Sequence, residues 1–366
     1  MSSARERPSL IFLSMHLPSE NVPEAGQKIC FHHLKTLSHD YDVHLISCVN
    51  TKEFSYLRSE DFSFCSSTYF VPVTRRTRLA NLLRNVTLPY QVAVRRDPAI
   101  LSAVSRLAQE GVSAIHIEYE HGAFVLDDVK GLTYRTVVFH DVISQSADRR
   151  ARLAKGFLRK VYFGIQARLA RNWETRLLPK IESAVVLNEK DRQLLKDAGF
   201  RAAVVVDYPQ VSPRFELIRR DRYEPHTMLF WGAMNRSENE DAVLWFMSSV
   251  MPQVLAVIPD ATLLVVGANP SEKVKALASS KVVVTGFVDD PAPYFERAAI
   301  AVVPLRFGAG IKLKVLEALA AKVPVVGTSV AAEGVRNDDN LIVADSERDF
   351  AAMVVQALAK SGPAAP

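Results

Sequence analysis

The 366-residue chain is poor in cysteine: Cys30, Cys48 and Cys65 are an odd number with no CxxC spacing. That excludes a disulfide framework and a zinc ribbon, and it fits a reducing, cytoplasmic compartment. Long apolar runs are also missing. The longest, Ala298–Leu305, Ala261–Ala268 and Val323–Val326, fall well short of the roughly 18–20 residues that a membrane span needs. The opening MSSARERPSL leads into a short apolar run that meets Pro18, Ser19 and Glu20, too short and too polar for a signal peptide. Fifteen glycines and 19 prolines are too few, and too irregular, for a collagenous or low-complexity chain. With 48% apolar and 23% charged residues, the composition is that of a globular enzyme of two domains.

What charge there is lies unevenly. Between Arg149 and Lys180 stand ten Lys/Arg against the one acid Glu174, so this window carries +9 and leaves −4 for the rest of a chain whose net charge is +5. A second basic stretch holds Arg75, Arg76, Arg78, Arg84, Arg95 and Arg96 with no acid among them. The first window also contains Phe157, Leu158, Val161, Tyr162, Phe163 and Leu169. A basic amphipathic helix, read here over Asp148–Leu178, packs one stripe on a sheet and suits an anionic membrane surface with the other. No stacking platform accompanies the basic residues, so nucleic acid is not expected as a partner.

Short β-branched runs alternate with helical patterns throughout. Seven strands are expected in the first half, from Leu10–Met15 to Ala203–Val206, and six in the second, from Met228–Trp231 to Leu341–Val343. Near-continuous apolar strands interleaved with helices predict parallel sheets covered on both faces. The fold class is therefore α/β, with two Rossmann-like doubly wound domains. The proline-rich stretch Asp207–His226 separates them. The expected division is an N-terminal domain over 1–212, a linker over 213–226 and a C-terminal domain over 227–366. Two such sheets facing across a cleft would bind a two-part substrate at their carboxyl ends.

The most informative segment is IAVVPLRFGAGIKLKVLEALAAKVPVVGT, Ile300 to Thr328. A strand ends near Pro304, and a loop with Gly308 and Gly310 leads into a helix expected over Ile311–Ala321. Glycines let backbone N–H groups approach an anion, and a helix N-terminus adds partial positive charge. Lys312 and Lys314 add full charges. Glu317 lies seven residues after Gly310, nearly on the same helix face and about two turns up. A carboxylate there can accept hydrogen bonds from two vicinal hydroxyls, as a ribose presents. Asp40-Tyr41-Asp42 carries the spacing of a metal-binding Asp-x-Asp, but between a helix and a strand it reads as a turn, and no metal is expected.

In order along the C-terminal half stand FWGAMNRSENEDAVLWF, ATLLVVGAN, VTGFVDD, PLRFGAGIKLKVLEALAAKVPVVGT and AAEGV. Together they resemble the retaining glycosyltransferases of family 4, which have the GT-B fold. IFLSMHLP, Gly26-Gln27, IHIEYEHG and VVFHDV add a weaker resemblance in the N-terminal half. The resemblance implies transfer of a sugar from a nucleotide-sugar donor on the C-terminal domain to an acceptor on the N-terminal domain. It implies no resident cofactor, the UDP-sugar or GDP-sugar being a co-substrate.

Glu317 matches the second acid of the family's Glu-x7-Glu motif, which holds the ribose. The first would fall at Ala309. The resemblance implies that Ala309, Gly310 and Ile311 offer backbone N–H groups to the sugar and diphosphate, with Lys312 and Lys314 as charges. Gly26 approaches the diphosphate from the other domain. Asn235 and Arg236 stand where the family's basic pair begins, and Gly267 and Val288 form the wall that reads the base. His140 resembles the histidine beside the reacting sugar, so the candidate catalytic set is His140, Lys312 and Glu317. Glu118, Glu120 and Asp141 are candidates to position a glycan or lipid-linked acceptor. The enclosing role would be surface polysaccharide or glycolipid synthesis. Two alternatives remain open: an inactive GT-B partner subunit, motivated by Ala309, and a sugar-nucleotide epimerase of the same fold. A Rossmann oxidoreductase is disfavoured, because the one GxG comes late and lacks its third glycine.

Overall fold

In the computed structural model, residues 7–22, 24–154, 156–221, 223–308, 310–336 and 338–360 are described. They form two compact units that divide between Tyr208 and Pro209. Each unit is a parallel sheet with helices on both faces.

The first unit holds β1 (Ser9–Ser14), β2 (Asp42–Asn50), β3 (Ser67–Val73), β4 (Ala114–Glu118), β5 (Tyr134–Phe139), β6 (Ser183–Val186) and β7 (Ala203–Val206). Their order is β3-β2-β1-β4-β5-β6-β7, all pairs parallel. Consecutive Ile11, Phe12 and Leu13 on β1 are all fully buried, which requires a helix layer on each side of the sheet. The order reverses between β1 and β4, so the crevice of this unit opens at their carboxyl ends.

The second unit holds β8 (Thr227–Trp231), β9 (Thr262–Val266), β10 (Val282–Gly286), β11 (Ile300–Val303), β12 (Val325–Gly327) and β13 (Leu341–Val343). Their order is β10-β9-β8-β11-β12-β13, again parallel, with the reversal between β8 and β11. Every strand expected from the apolar runs is present, with ends displaced by two residues at most.

Three expectations change. The residues expected as a linker, 213–226, pack into the second unit: Pro213–Glu216 is a helical turn whose Phe215 is fully buried and meets Phe295 edge-on at 5.2 Å. The helix expected over Asp148–Leu178 is two helices, Ile143–Leu153 and Phe157–Leu177, packed against each other as a hairpin. Ala154 is extended and Gly156 takes φ 87°, so the helical ladder ends there. The helix expected over Ile311–Ala321 spans Leu313–Ala320, with extended Lys312 at its N-cap.

Candidate functional site

In the second unit, the carboxyl ends of β8 and β11 carry the two loops that sequence reasoning selected. After β8 the chain runs through Gly232 to Arg236 into the helix Ser237–Trp245. After β11 it runs through Gly308, at φ 128°, and Gly310, at φ 68°, to the helix Leu313–Ala320. Both glycine conformations are ones that other residues rarely adopt. Ala309, between them, lies outside the described residues.

Lys314, Asn239 and the Gly232 turn meet. The Lys314 ammonium donates to Asn239 Oδ1, and it lies 4.9 Å over the Phe230 ring. Asn239, 3% exposed, donates its own amide to the Ala233 carbonyl at 2.7 Å. A Cβ on Gly232 would stand 2.9 Å from Lys314 Nζ, so glycine leaves the ammonium its place. Burial pulls the Lys314 pKa down to about 7, with Glu238 and Glu317 opposing and Arg236 and Lys312 adding to the fall. Lys312, 9% exposed, donates to the Gly310 carbonyl at 2.5 Å. Glu317 accepts the indole N–H of Trp231 at 2.8 Å. Since the helix begins at Leu313, Glu317 sits in its second turn rather than two turns beyond the loop.

Lys312, Lys314, Glu317, Gly308, Gly310 and Ile311 thus lie at one switch point, as the strand order requires. The remaining donor-side residues fare differently. Arg236 is exposed and lies 3.8 Å from Glu238, and Asn235 is exposed. Gly267 takes φ 149°, and a Cβ there would stand 2.0 Å from the Gly232 carbonyl oxygen. Its role visible here is close packing of the β9 end on the β8 end. Val288 is half-buried against the apolar core of its own unit.

In the first unit, β4 and β5 end in a polar cluster. Glu118, expected at a strand end to position an acceptor, is wholly buried and engaged on both oxygens. Its Oε1 accepts from His33 Nδ1 at 2.6 Å and from His116 Nε2 at 3.0 Å, and its Oε2 accepts from His140 Nε2 at 2.6 Å. His33 Nε2 lies 3.2 Å from Asp207. Burial works against charge on His33, but Glu118 and Asp207 outweigh it and lift its pKa to about 10. Burial would likewise raise the Glu118 pKa, yet the charge of His33 and hydrogen bonds from three histidines hold it well below the usual carboxylate range. His33, His116 and Glu118 place ligand atoms within 4.8 Å of one another. Their contacts of 2.6 and 3.0 Å are hydrogen-bond separations, shorter than the roughly 3.3 Å between ligands of a tetrahedral zinc.

Gly26 and His140 are brought together. A Cβ on Gly26 would meet the Tyr119 hydroxyl at 2.9 Å and His140 Nδ1 at 3.4 Å. Tyr119, at φ 70°, stacks on His140 with centroids 3.9 Å apart. Glu120, 1% exposed, accepts from the Ile143 N–H at 3.3 Å, and among the described residues its Oε2 has no hydrogen-bond partner. Burial, then Glu174 and Asp141, push its pKa well above the usual range. Asp141 is half-buried between His140 and the hairpin. Sequence reasoning missed His33, His116, Tyr119, Asp207 and Trp231. Alternation on β4 was the available signal for His116, which shares a sheet face with Glu118.

The two basic stretches meet as well. Tyr90 N–H donates to Gln166 of the hairpin at 2.8 Å, and Arg78 donates to the Tyr90 hydroxyl at 3.2 Å. In the same two stretches Leu79, Leu83, Val86, Phe157, Leu158 and Ile165 are exposed, Leu158 by 81%. A shallow pocket there is lined by Tyr90, Ile143, Arg150, Tyr162, Phe163 and Gln166 among others. Among the described residues no helix is long and apolar enough to cross a membrane.

With this geometry in hand, comparison with known proteins places the second unit. Residues 225–360 match the family described as Glycosyl transferases group 1. A protein of Klebsiella pneumoniae described as an uncharacterized 44.6 kDa protein in the cps region is 26% identical over 160 residues, 40% of this chain. The match spans 41% of that relative's length. Among solved structures, sucrose-phosphate synthase from Thermosynechococcus elongatus aligns with a TM-score of 0.66 and 16% identity, over 96% of this chain and 90% of that one. HepE of Anabaena in complex with UDP and glucose aligns at 0.61 and 12% identity, over 96% and 91%. At such identities the likeness is one of fold. The fold is GT-B, of the α/β class.

Proposed function

We propose that the chain is a retaining, metal-independent glycosyltransferase of family 4. It moves a hexose-type sugar from a nucleotide-diphosphate sugar to a glycan or lipid-linked acceptor in surface-polysaccharide or glycolipid synthesis. The observation that carries the reading is the convergence of the Gly308–Lys312 loop, Lys314 and Glu317 with the Gly232 turn between β8 and β11. The group 1 match over residues 225–360, the relative in a cps region and the likeness to a UDP- and glucose-bound structure support it.

In this reading Gly310 and Ile311 N–H groups, Lys312 and Lys314 hold the diphosphate, and Glu317 accepts hydrogen bonds from the ribose. These cations and dipoles stabilise the charge that develops as the anomeric C–O bond to phosphate breaks. The acceptor oxygen bonds to the anomeric carbon on the same face, and its proton passes to the leaving phosphate. No resident cofactor is needed, and UDP or GDP carries the sugar. The first unit receives the acceptor, and the protein works in the cytoplasm.

The joined basic and apolar surface around Tyr90 and the hairpin favours a lipid-linked acceptor at an anionic membrane face. Each Lys/Arg near such a surface adds about 1 kcal/mol of attraction. Ala309 in place of an acid favours the inactive-partner alternative. Nucleotide release from a panel of UDP- and GDP-hexoses, without added magnesium, separates the two. Release from one donor supports transfer; a folded protein that releases none with any acceptor contradicts it.

A further inference from the structure

Nothing in the donor reading uses the carboxylate ringed by histidines at the end of β4. Glu118 is 0% exposed, so it reaches no substrate directly. An ionised carboxylate only accepts hydrogen bonds, so each ring nitrogen that faces it carries the hydrogen. For His140 that nitrogen is Nε2, at 2.6 Å from Oε2. The other oxygen takes His33 and His116, at 2.6 and 3.0 Å. His33 reaches on to Asp207, one residue before the end of its unit, at 3.2 Å. A buried anion without partners is costly, and this chain supplies the partners that keep Glu118 ionised.

The ring of His140 has little freedom. Tyr119 lies flat on it, centroids 3.9 Å apart and planes 18° from parallel. Its Nδ1 edge points to the Gly26 turn, where a Cβ would come within 3.4 Å. Among the described residues no protein group is hydrogen-bonded to that Nδ1.

We propose that Glu118 is a positioning residue that keeps the His140 proton on Nε2 and leaves Nδ1 bare, so that His140 accepts a hydrogen bond from a hydroxyl of a sugar bound beside Gly26. His140 then reads a sugar hydroxyl as an acceptor and does not deliver a proton from that edge. The identity of the ligand rests on the glycosyltransferase reading; the tautomer does not.

The test uses the full-length protein with ¹⁵N-labelled histidine. Long-range ¹H–¹⁵N correlation at pH 8 reads both ring nitrogens, and loss of one spin system in His140→Gln assigns His140. The expected result is a proton on Nε2 and none on Nδ1. In Glu118→Gln, whose amide can accept or donate, the other tautomer gains a measurable share. Asp207→Asn, which leaves Glu118 in place, serves if Glu118→Gln does not fold, and it should shift the His33 resonances first. In turnover, Glu118→Gln lowers kcat about 10- to 100-fold, the loss expected for one charge-assisted hydrogen bond, while the Kd for UDP or GDP stays within about twofold. One sugar ligand lacking a single hydroxyl should bind the wild type more weakly and show no further loss with His140→Ala. A proton on Nδ1, or an unchanged tautomer and kcat in Glu118→Gln, overturns the proposal. Absence of turnover with every donor, beside the expected tautomer, overturns the glycosyltransferase reading and upholds the positioning of His140.

Discussion

Trp231, the last residue of β8, donates its indole N–H to Glu317 at 2.8 Å. The bond ties the strand on one side of the switch point to the helix on the other. It also fixes one carboxylate oxygen of Glu317. Hydrogen bonds to a charged group contribute about 1.5–3 kcal/mol. Glu317→Ala should therefore weaken nucleotide binding at least 10-fold. Trp231→Phe, which keeps the edge-on contact with Phe295, should weaken it by a smaller factor. Calorimetric Kd values for the two variants check the order.

If Lys314 holds the diphosphate as proposed, nucleotide binding should depend on pH. Its pKa of about 7 leaves it mostly uncharged at pH 8 in the free protein. A diphosphate beside it favours the charged form, so binding at pH 8 should take up a proton, and affinity should fall as pH rises through 7. Titrations in buffers of different ionisation enthalpy measure the uptake, which Lys314→Met should abolish. For folding, the depressed pKa means the unfolded chain binds more protons between about pH 7 and the unperturbed value. The Lys314 contribution to stability therefore rises with pH across that window.

Glu120 has the opposite sign. Its pKa is raised in the folded state, so the native protein binds the extra proton above the ordinary carboxylate range. Stability contributed by this site is lost as pH rises through that range. Glu120→Gln keeps an acceptor for the Ile143 N–H and removes the charge. Its melting temperature should equal wild type near pH 4 and exceed it by a few degrees at pH 8.

Gly267→Ala puts a Cβ 2.0 Å from the Gly232 carbonyl oxygen at a φ of 149°. Backbone would have to move, and the cost should be about 2–4 kcal/mol. Denaturant unfolding measures it. Gly26→Ala, with its nearest neighbour a tyrosine hydroxyl at 2.9 Å, should cost less stability and reduce turnover more.

On the surface, Phe157→Ser with Leu158→Ser should halve or further reduce sedimentation with vesicles of anionic phospholipid while leaving nucleotide affinity unchanged. Both side chains are about four-fifths exposed, so stability should move by less than about 0.5 kcal/mol.

The sheets were legible because strands covered on both faces are written as unbroken apolar runs, such as Leu10 to Leu13 on β1 and Leu263 to Val266 on β9. The helix break at Gly156 was not, since single glycines also occur inside helices. The loop between β11 and the helix Leu313–Ala320 was legible through its glycines and lysines, which have a backbone reason to stand together. Its closest partners were not: Trp231 and Glu317 are 86 residues apart, and only the fold pairs them. The same holds for Glu118, which the sequence offers as a strand-end candidate to position an acceptor. His33, 85 residues away on another element, turns it into a buried anion.

Calorimetric titration of the wild type with UDP and with GDP, magnesium absent, alongside Glu317→Ala, tests the donor site most directly. The account predicts that one nucleotide binds and that the variant loses it. Binding of neither by the folded protein, or equal binding by Glu317→Ala, would contradict the account.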